Sequence, residues 1–139
     1  MDNKKYVELV NNAEYPENVE VPLDKPFIDD RGTIQNLWLG PSGSITLITS
    51  KAGSVRANHY HKQDWHACYI VSGSLKYYER SLDGKDVKEP KIFTAGQMVF
   101  SKPDVVHKLE FLEDTTFITI NGIEKNHENY ENSVVRVNF

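Results

Sequence analysis

The chain has 139 residues, 39% hydrophobic and 26% charged, with a net charge of −4, the profile of one soluble globular domain. No dense Lys/Arg run marks a nucleic-acid footprint, and no apolar stretch nears the ~20 residues that span a bilayer. Met1-Asp2-Asn3-Lys4-Lys5 leads into no secretory h-region, and the single cysteine, Cys68, excludes an internal disulfide; both point to a cytoplasmic protein.

Residues 1–26 carry polar clusters such as Asn11-Asn12 and Pro16-Glu17-Asn18 and read as an N-terminal arm or an added strand. After them comes a beat of short runs rich in β-branched and aromatic residues, broken by Gly, Pro, Asn and Asp. The runs cover 33–39, 44–50, 55–61, 65–72, 75–80, 87–93, 98–101, 106–111 and 115–121, and Asp83-Gly84 marks a hairpin turn. No convincing 3.6-residue periodicity interrupts this beat. About nine strands at such intervals predict an all-β sandwich or small jelly-roll barrel over 27–122. The tail, 123–139, is polar until Val134-Val135-Arg136-Val137, a candidate last strand or dimer contact. The whole chain, 1–139, is expected to form a single domain.

Four of the five histidines fall at suggestive places: His59, His61, His66 and His107. Side chains alternate faces along a strand, so His59 and His61 project to one side, about 7 Å apart along the backbone. His66 opens the next strand and His107 comes from a strand that barrel closure brings alongside. Imidazoles held in this way can converge on one ion at ~2.1 Å each. The spacing therefore predicts one divalent transition metal per chain, with Fe, Mn, Ni, Zn and Cu all compatible. Asp64 or Gln63 is an alternative to His66 as a ligand. His127 lies in the polar tail and is expected to be solvated.

The run Gly53-x5-His59-x-His61-x4-His66-x6-Gly73 resembles the first motif of the cupin superfamily, with His66 where that motif usually has Glu. Gly96 through Pro103 to His107 is similar to part of the second motif. The resemblance implies a cupin jelly roll, with the histidines at the wide end of the barrel. A narrower likeness reaches further. Arg56-x-x-His59-x-His61-Lys62, Asp29-Asp30-Arg31-Gly32, Lys102-Pro103-Asp104 and the ending Glu128-Asn129-Tyr130-Glu131 to Arg136 resemble the nucleotide-sugar 3,4-ketoisomerases. That family works without a metal, with Gln at the place of His66 and an aromatic at that of His107. It implies a sugar-nucleotide substrate and a homodimer built through N-terminal strands. It further implies substrate contacts from Arg56, with Tyr60, Tyr69 and Tyr77 as candidates to line a pocket.

The favoured function is a metal-assisted isomerase or epimerase of a keto-sugar, with Asp64, Glu79 or Tyr77 as the base. A non-haem iron dioxygenase acting on a small chelating substrate is the alternative from another enzyme class. A non-catalytic sugar- or metal-binding module is the third. Cys68 shares the inward parity of His66 and is a candidate to lie near the substrate, or a small core residue. Trp65 has the opposite parity and is expected to cover the outside of a sheet, in a dimer contact.

Overall fold

The computed structural model describes residues 1–122 and 134–139; His127 and the 128–131 segment lie outside the described residues. One helix, α1 (Asn3–Asn11), precedes eleven strands: β1 (Phe27–Asp29), β2 (Gly32–Ile34), β3 (Ser44–Ser50), β4 (Val55–His61), β5 (His66–Ser72), β6 (Ser74–Arg80), β7 (Lys91–Thr94), β8 (Met98–Ser101), β9 (Val106–Phe111), β10 (Thr115–Asn121) and β11 (Val134–Arg136). Two antiparallel sheets face each other, in the orders β3-β10-β5-β8 and β11-β4-β9-β6-β7. The arrangement is an all-β cupin jelly roll, as the histidine motif implied. Among the described residues no helix is long and apolar enough to cross a membrane.

Strand alternation sorts the side chains into two cores. Inward residues Cys68, Ile70, Leu75, Tyr77, Phe93, Val99, Leu109, Phe111 and Phe117 fill the space between the sheets. Residues of opposite parity on β5, β8 and β10 (Ala67, Met98, Phe100, Ile120) build a second core on the outer face of the four-stranded sheet. That face is covered by the chain's own N-terminal region. Within this region, expected as an arm or an added strand, residues 3–11 form a helix. Asp2 caps α1 by accepting from Lys5 N at 2.8 Å. Tyr6, Val7 and Val10 then fall on one face and are buried. Asn3 holds the helix in place, donating to Pro22 O and Leu37 O and accepting from Leu39 N, all at 2.9 Å. A nine-residue helix is marginal alone, so this burial and stapling stabilise it. Only residues 19–21 act as an added strand, exchanging backbone bonds with Met98 and Phe100 of β8.

Two of the predicted runs are corrected. The run 33–39 stops at Ile34 within a short hairpin, and Trp38 beyond it turns back to stack on Trp65 with ring centroids 4.7 Å apart. The run 87–93 shortens to β7, leaving Val87 in an isolated bridge with Arg80. Trp65 does face away from the barrel interior. It is covered within its own chain, so the reason for placing it in a dimer contact disappears.

Candidate metal centre and cavity

A bulge in β4 sets up the site. Ala57 and Asn58 both adopt left-handed backbone, φ 72° and 56°, and the pairing with β9 skips Asn58: Ala57 faces Lys108 and His59 faces His107. Consecutive non-glycine residues in this region cost roughly 1–3 kcal/mol each. The extra residue reverses the parity on either side of it. Arg56, three positions before His59, therefore lies opposite inward-facing Leu109 and shares the inner face with the histidines. Its guanidinium bonds to Ser50 Oγ at 2.6 Å (through Nε) and to Thr49 O at 3.0 Å (through Nη2). Arg56 thus clasps β3 to β4 at the seam between the sheets, an exposed residue that also lines the cavity described below.

Beyond the bulge His59 and His61 project inward as alternation requires, and His107 meets them from β9. All three are buried. Their ring centroids are separated by 4.5 Å (His59–His61), 4.9 Å (His59–His107) and 5.6 Å (His61–His107). One nitrogen from each lies within 4.8 Å of the others, a spacing that lets three imidazoles close on one ion at ~2.1 Å. His107 Nδ1 sits 3.4 Å from Val105 O, a contact of the kind that fixes a ligand ring and its tautomer.

His66 belongs to a second group. Its ring lies 3.9 Å from that of His61 and 6.4 Å from that of His107, and the set formed around it is His61, Asp64 and His66. The four imidazoles thus divide into two overlapping sets that share His61. Asp64 is fully buried. Its Oδ1 accepts from the backbone N–H of Trp65 at 2.9 Å and of Gly122 at 3.0 Å, while Oδ2 lies 3.4 Å from His66 Nε2. Gln63 is exposed in the turn, with φ 61°.

His59, His66 and His107 open onto a cavity of about 500 Å³ at one end of the barrel. Its wall also holds Arg56, Cys68, Ser101, Thr119, Asn121 and Arg136, with apolar Ile48, Val55, Leu109 and Phe117, and no carboxylate among the described residues. A protein of net charge −4 thus encloses a pocket lined by guanidinium and imidazole, suited to an anionic ligand. Burial pushes the Cys68 thiol up to about 12.

The other candidates are spread around this cavity. Tyr77 and Glu79, inward on β6, stand one layer behind the wall: Tyr77 donates to Glu79 Oε1 at 2.9 Å and lies 3.0 Å from Ser101 Oγ. Burial raises the Glu79 carboxyl above its usual range, partly offset by the Tyr77 bond and by Lys102 and Lys88. Burial and the Glu79 charge hold the Tyr77 hydroxyl protonated. Tyr69 packs in the outer core, and Tyr60 is absent from the cavity wall. Ser101, Thr119 and Asn121 went unseen in the sequence because small polar residues in strands carry no motif. Arg136 had appeared only as the close of a family-like segment; its place opposite His59 depends on the pairing of β11 with β4.

With this geometry in hand, comparison with known proteins is informative. A sequence model of the TehB-like domain family matches residues 53–120, just under half of the chain, and no curated protein matches it in sequence. Solved structures do. A 3,4-ketoisomerase from Helicobacter canadensis superimposes with TM-score 0.65 at 18% identity, over 81% of this chain and 86% of that one. The sugar 3,4-ketoisomerase QdtA from Thermoanaerobacterium thermosaccharolyticum, solved with TDP, gives 0.62 at 16% identity, over 81% and 83%. The capsular polysaccharide assembling protein CapF from Staphylococcus aureus gives 0.59 at 20% identity, over 91% of this chain and 38% of CapF. The chain therefore spans little more than a third of CapF and most of each isomerase. At these identities what is shared is the cupin fold.

Proposed function

We propose that this cupin-fold chain is a metal-dependent isomerase or epimerase acting on the keto-sugar of a sugar nucleotide. The observation that carries this reading is the convergence of three buried imidazoles, two of them on the wall of a cavity with two arginines and no carboxylate among its described residues, in the fold that sugar isomerases use. The donor set fits a first-row divalent ion: three neutral nitrogens from His59, His61 and His107, with His66 or Asp64 next to the shared His61. When bound, such an ion supplies Lewis acidity that polarises a carbonyl and acidifies the adjoining C–H.

The chain's own residues do the rest. Arg136 and Arg56 attract the negative end of the substrate. The Asp64–His66 pair is the proton carrier: the buried carboxylate holds the ring by Nε2, and the imidazole, on the cavity wall, takes the proton at its other nitrogen and returns it to the neighbouring carbon. Three histidines that hold and a fourth that moves the proton resolve the conflict between ligand and base, since a ligated nitrogen has no lone pair to offer.

The test is elemental analysis of protein purified without chelator, with C–H exchange in D2O on dTDP-4-keto-6-deoxyglucose. One metal per chain is expected, lost in His61→Ala, with exchange abolished in His66→Gln while the metal stays. Exchange that persists without metal, or that needs O2, overturns the reading; the second result would favour the dioxygenase.

The same proposal includes a cytoplasmic homodimer. The β1–β2 hairpin carries Phe27, Ile28 and Ile34 at 61%, 70% and 68% exposure, and edge strand β3 shows Ile45 and Leu47 to solvent. Apolar residues on a free hairpin and a free sheet edge are surfaces that association would cover. A monomer mass by sedimentation equilibrium would reject the dimer.

A further inference from the structure

A three-member hydrogen-bond chain runs behind the cavity wall, and its direction can be worked out. The 2.9 Å bond runs from the Tyr77 hydroxyl to Glu79 Oε1 and so uses the phenol's single hydrogen. The 3.0 Å contact between Tyr77 Oη and Ser101 Oγ is then left with one donor, Ser101. Ser101 also has a single hydroxyl hydrogen, and this contact commits it away from the cavity. The serine lines the cavity beside His107 and is the cross-strand partner of His66. What it shows the interior is therefore lone pairs alone. All three side chains are buried, so water does not readily scramble the order, and the ring of Tyr77 is kept in place by stacking on His107 at 6.4 Å and 22°.

We propose that Ser101 is a substrate-reading residue that accepts a hydrogen bond from a ligand hydroxyl next to the reacting carbons, with Tyr77 and Glu79 as positioning residues that aim its own proton outward. The assignment rests on the sugar-nucleotide reading for its ligand class and deepens it. The substrate must carry a free O–H where Ser101 waits; an ether, a fluorine or a second carbonyl there meets a like-signed oxygen. A site that hydrogen-bonds a substrate hydroxyl rejects the analogue lacking it, because the acceptor is then left buried and unpaired.

Two measurements test this. Neutron diffraction from the full chain in D2O locates the deuteron on Ser101 Oγ without any ligand. It is expected to point at Tyr77 Oη, and a deuteron aimed into the cavity overturns the proposal whatever the substrate is. Calorimetry then compares dTDP-4-keto-6-deoxyglucose with its analogue carrying fluorine in place of the hydroxyl beside the carbonyl. The wild-type chain should bind the fluoro compound about 10- to 100-fold more weakly. In Ser101→Ala the two affinities should match, while Ser101→Thr should restore the gap. Tyr77→Phe frees the serine proton to turn inward, so the ratio should fall towards one with the fold intact, a change that a merely structural tyrosine would not produce. An undiminished ratio in Ser101→Ala overturns the proposal. If the wild-type chain binds neither compound, the sugar-nucleotide reading fails, and the neutron result alone decides the direction of the chain at Ser101.

Discussion

The two ends of the barrel interior are built by the same strands and differ completely. Along β5 the inward residues run Ile70, Cys68, His66; along β6 Leu75, Tyr77, Glu79; along β9 Phe111, Leu109, His107; along β10 Phe117, Thr119, Asn121; and along β8 Val99, Ser101. Register aligns these series: Ile70 faces Phe117 and His66 faces Asn121, while Leu75 faces Phe111 and Glu79 faces His107. Each strand passes from hydrocarbon to polar groups in the same axial direction. Alternation decides which side chains enter the barrel, and height along the axis decides what chemistry they carry. The closed end supplies the burial that lets the open end hold buried histidines and a buried carboxylate.

If that division is right, the two ends should fail in different ways. Phe111→Ala removes a fully buried ring from the closed end, away from the cavity wall, and should cost about 3–5 kcal/mol by urea unfolding, while the folded fraction still takes up the proposed metal. His61→Ala should do the reverse, removing the residue that both overlapping sets share and with it metal uptake; a Phe111 variant that also fails to take up metal would show that the ends are not separable. Asp64→Ala leaves the backbone N–H groups of Trp65 and Gly122 without their acceptor and should cost about 1–3 kcal/mol, with slowed C–H exchange. Ser50→Ala removes one of the two Arg56 bonds at the seam, for about 1 kcal/mol. Cys68, midway along the barrel, should barely affect stability but give a clear pH signature. Only the thiolate is alkylated, and with its pKa pushed up to about 12 the thiol form dominates at pH 8. Iodoacetamide should react about 1,000-fold more slowly than with a free cysteine, and faster as pH rises towards that value.

Much of this was legible in the sequence. The strands from residue 44 to 121 were marked by their own composition and turns, β7 apart, and the four histidines by spacing alone. Three things were not. Helix α1 is too short to announce itself; Tyr6, Val7 and Val10 form a stripe only because the outer sheet is there to receive it. The inward face of Arg56 does not follow from alternation alone, because nothing in Ala57-Asn58 signals a bulge without its partner strand. The separation of His66 from the other three depends on where Asp64 lies in the turn before β5, and that turn is held by Gly122, almost sixty residues away.

Gly122 has one more consequence. Its backbone N–H reaches both Asp64 Oδ1 and Trp65 O, and a methyl group at this position would strike the Trp65 indole, with Nε1 at 2.5 Å. Trp65 in turn lies under Trp38, in the layer that α1 seals. The amino terminus and the Asp64–His66 pair are therefore mechanically joined through Trp65 and the glycine packed against it. Shortening or tagging the first dozen residues, remote as they are from any histidine, should be felt as a loosened carboxylate at the far side of the sheet.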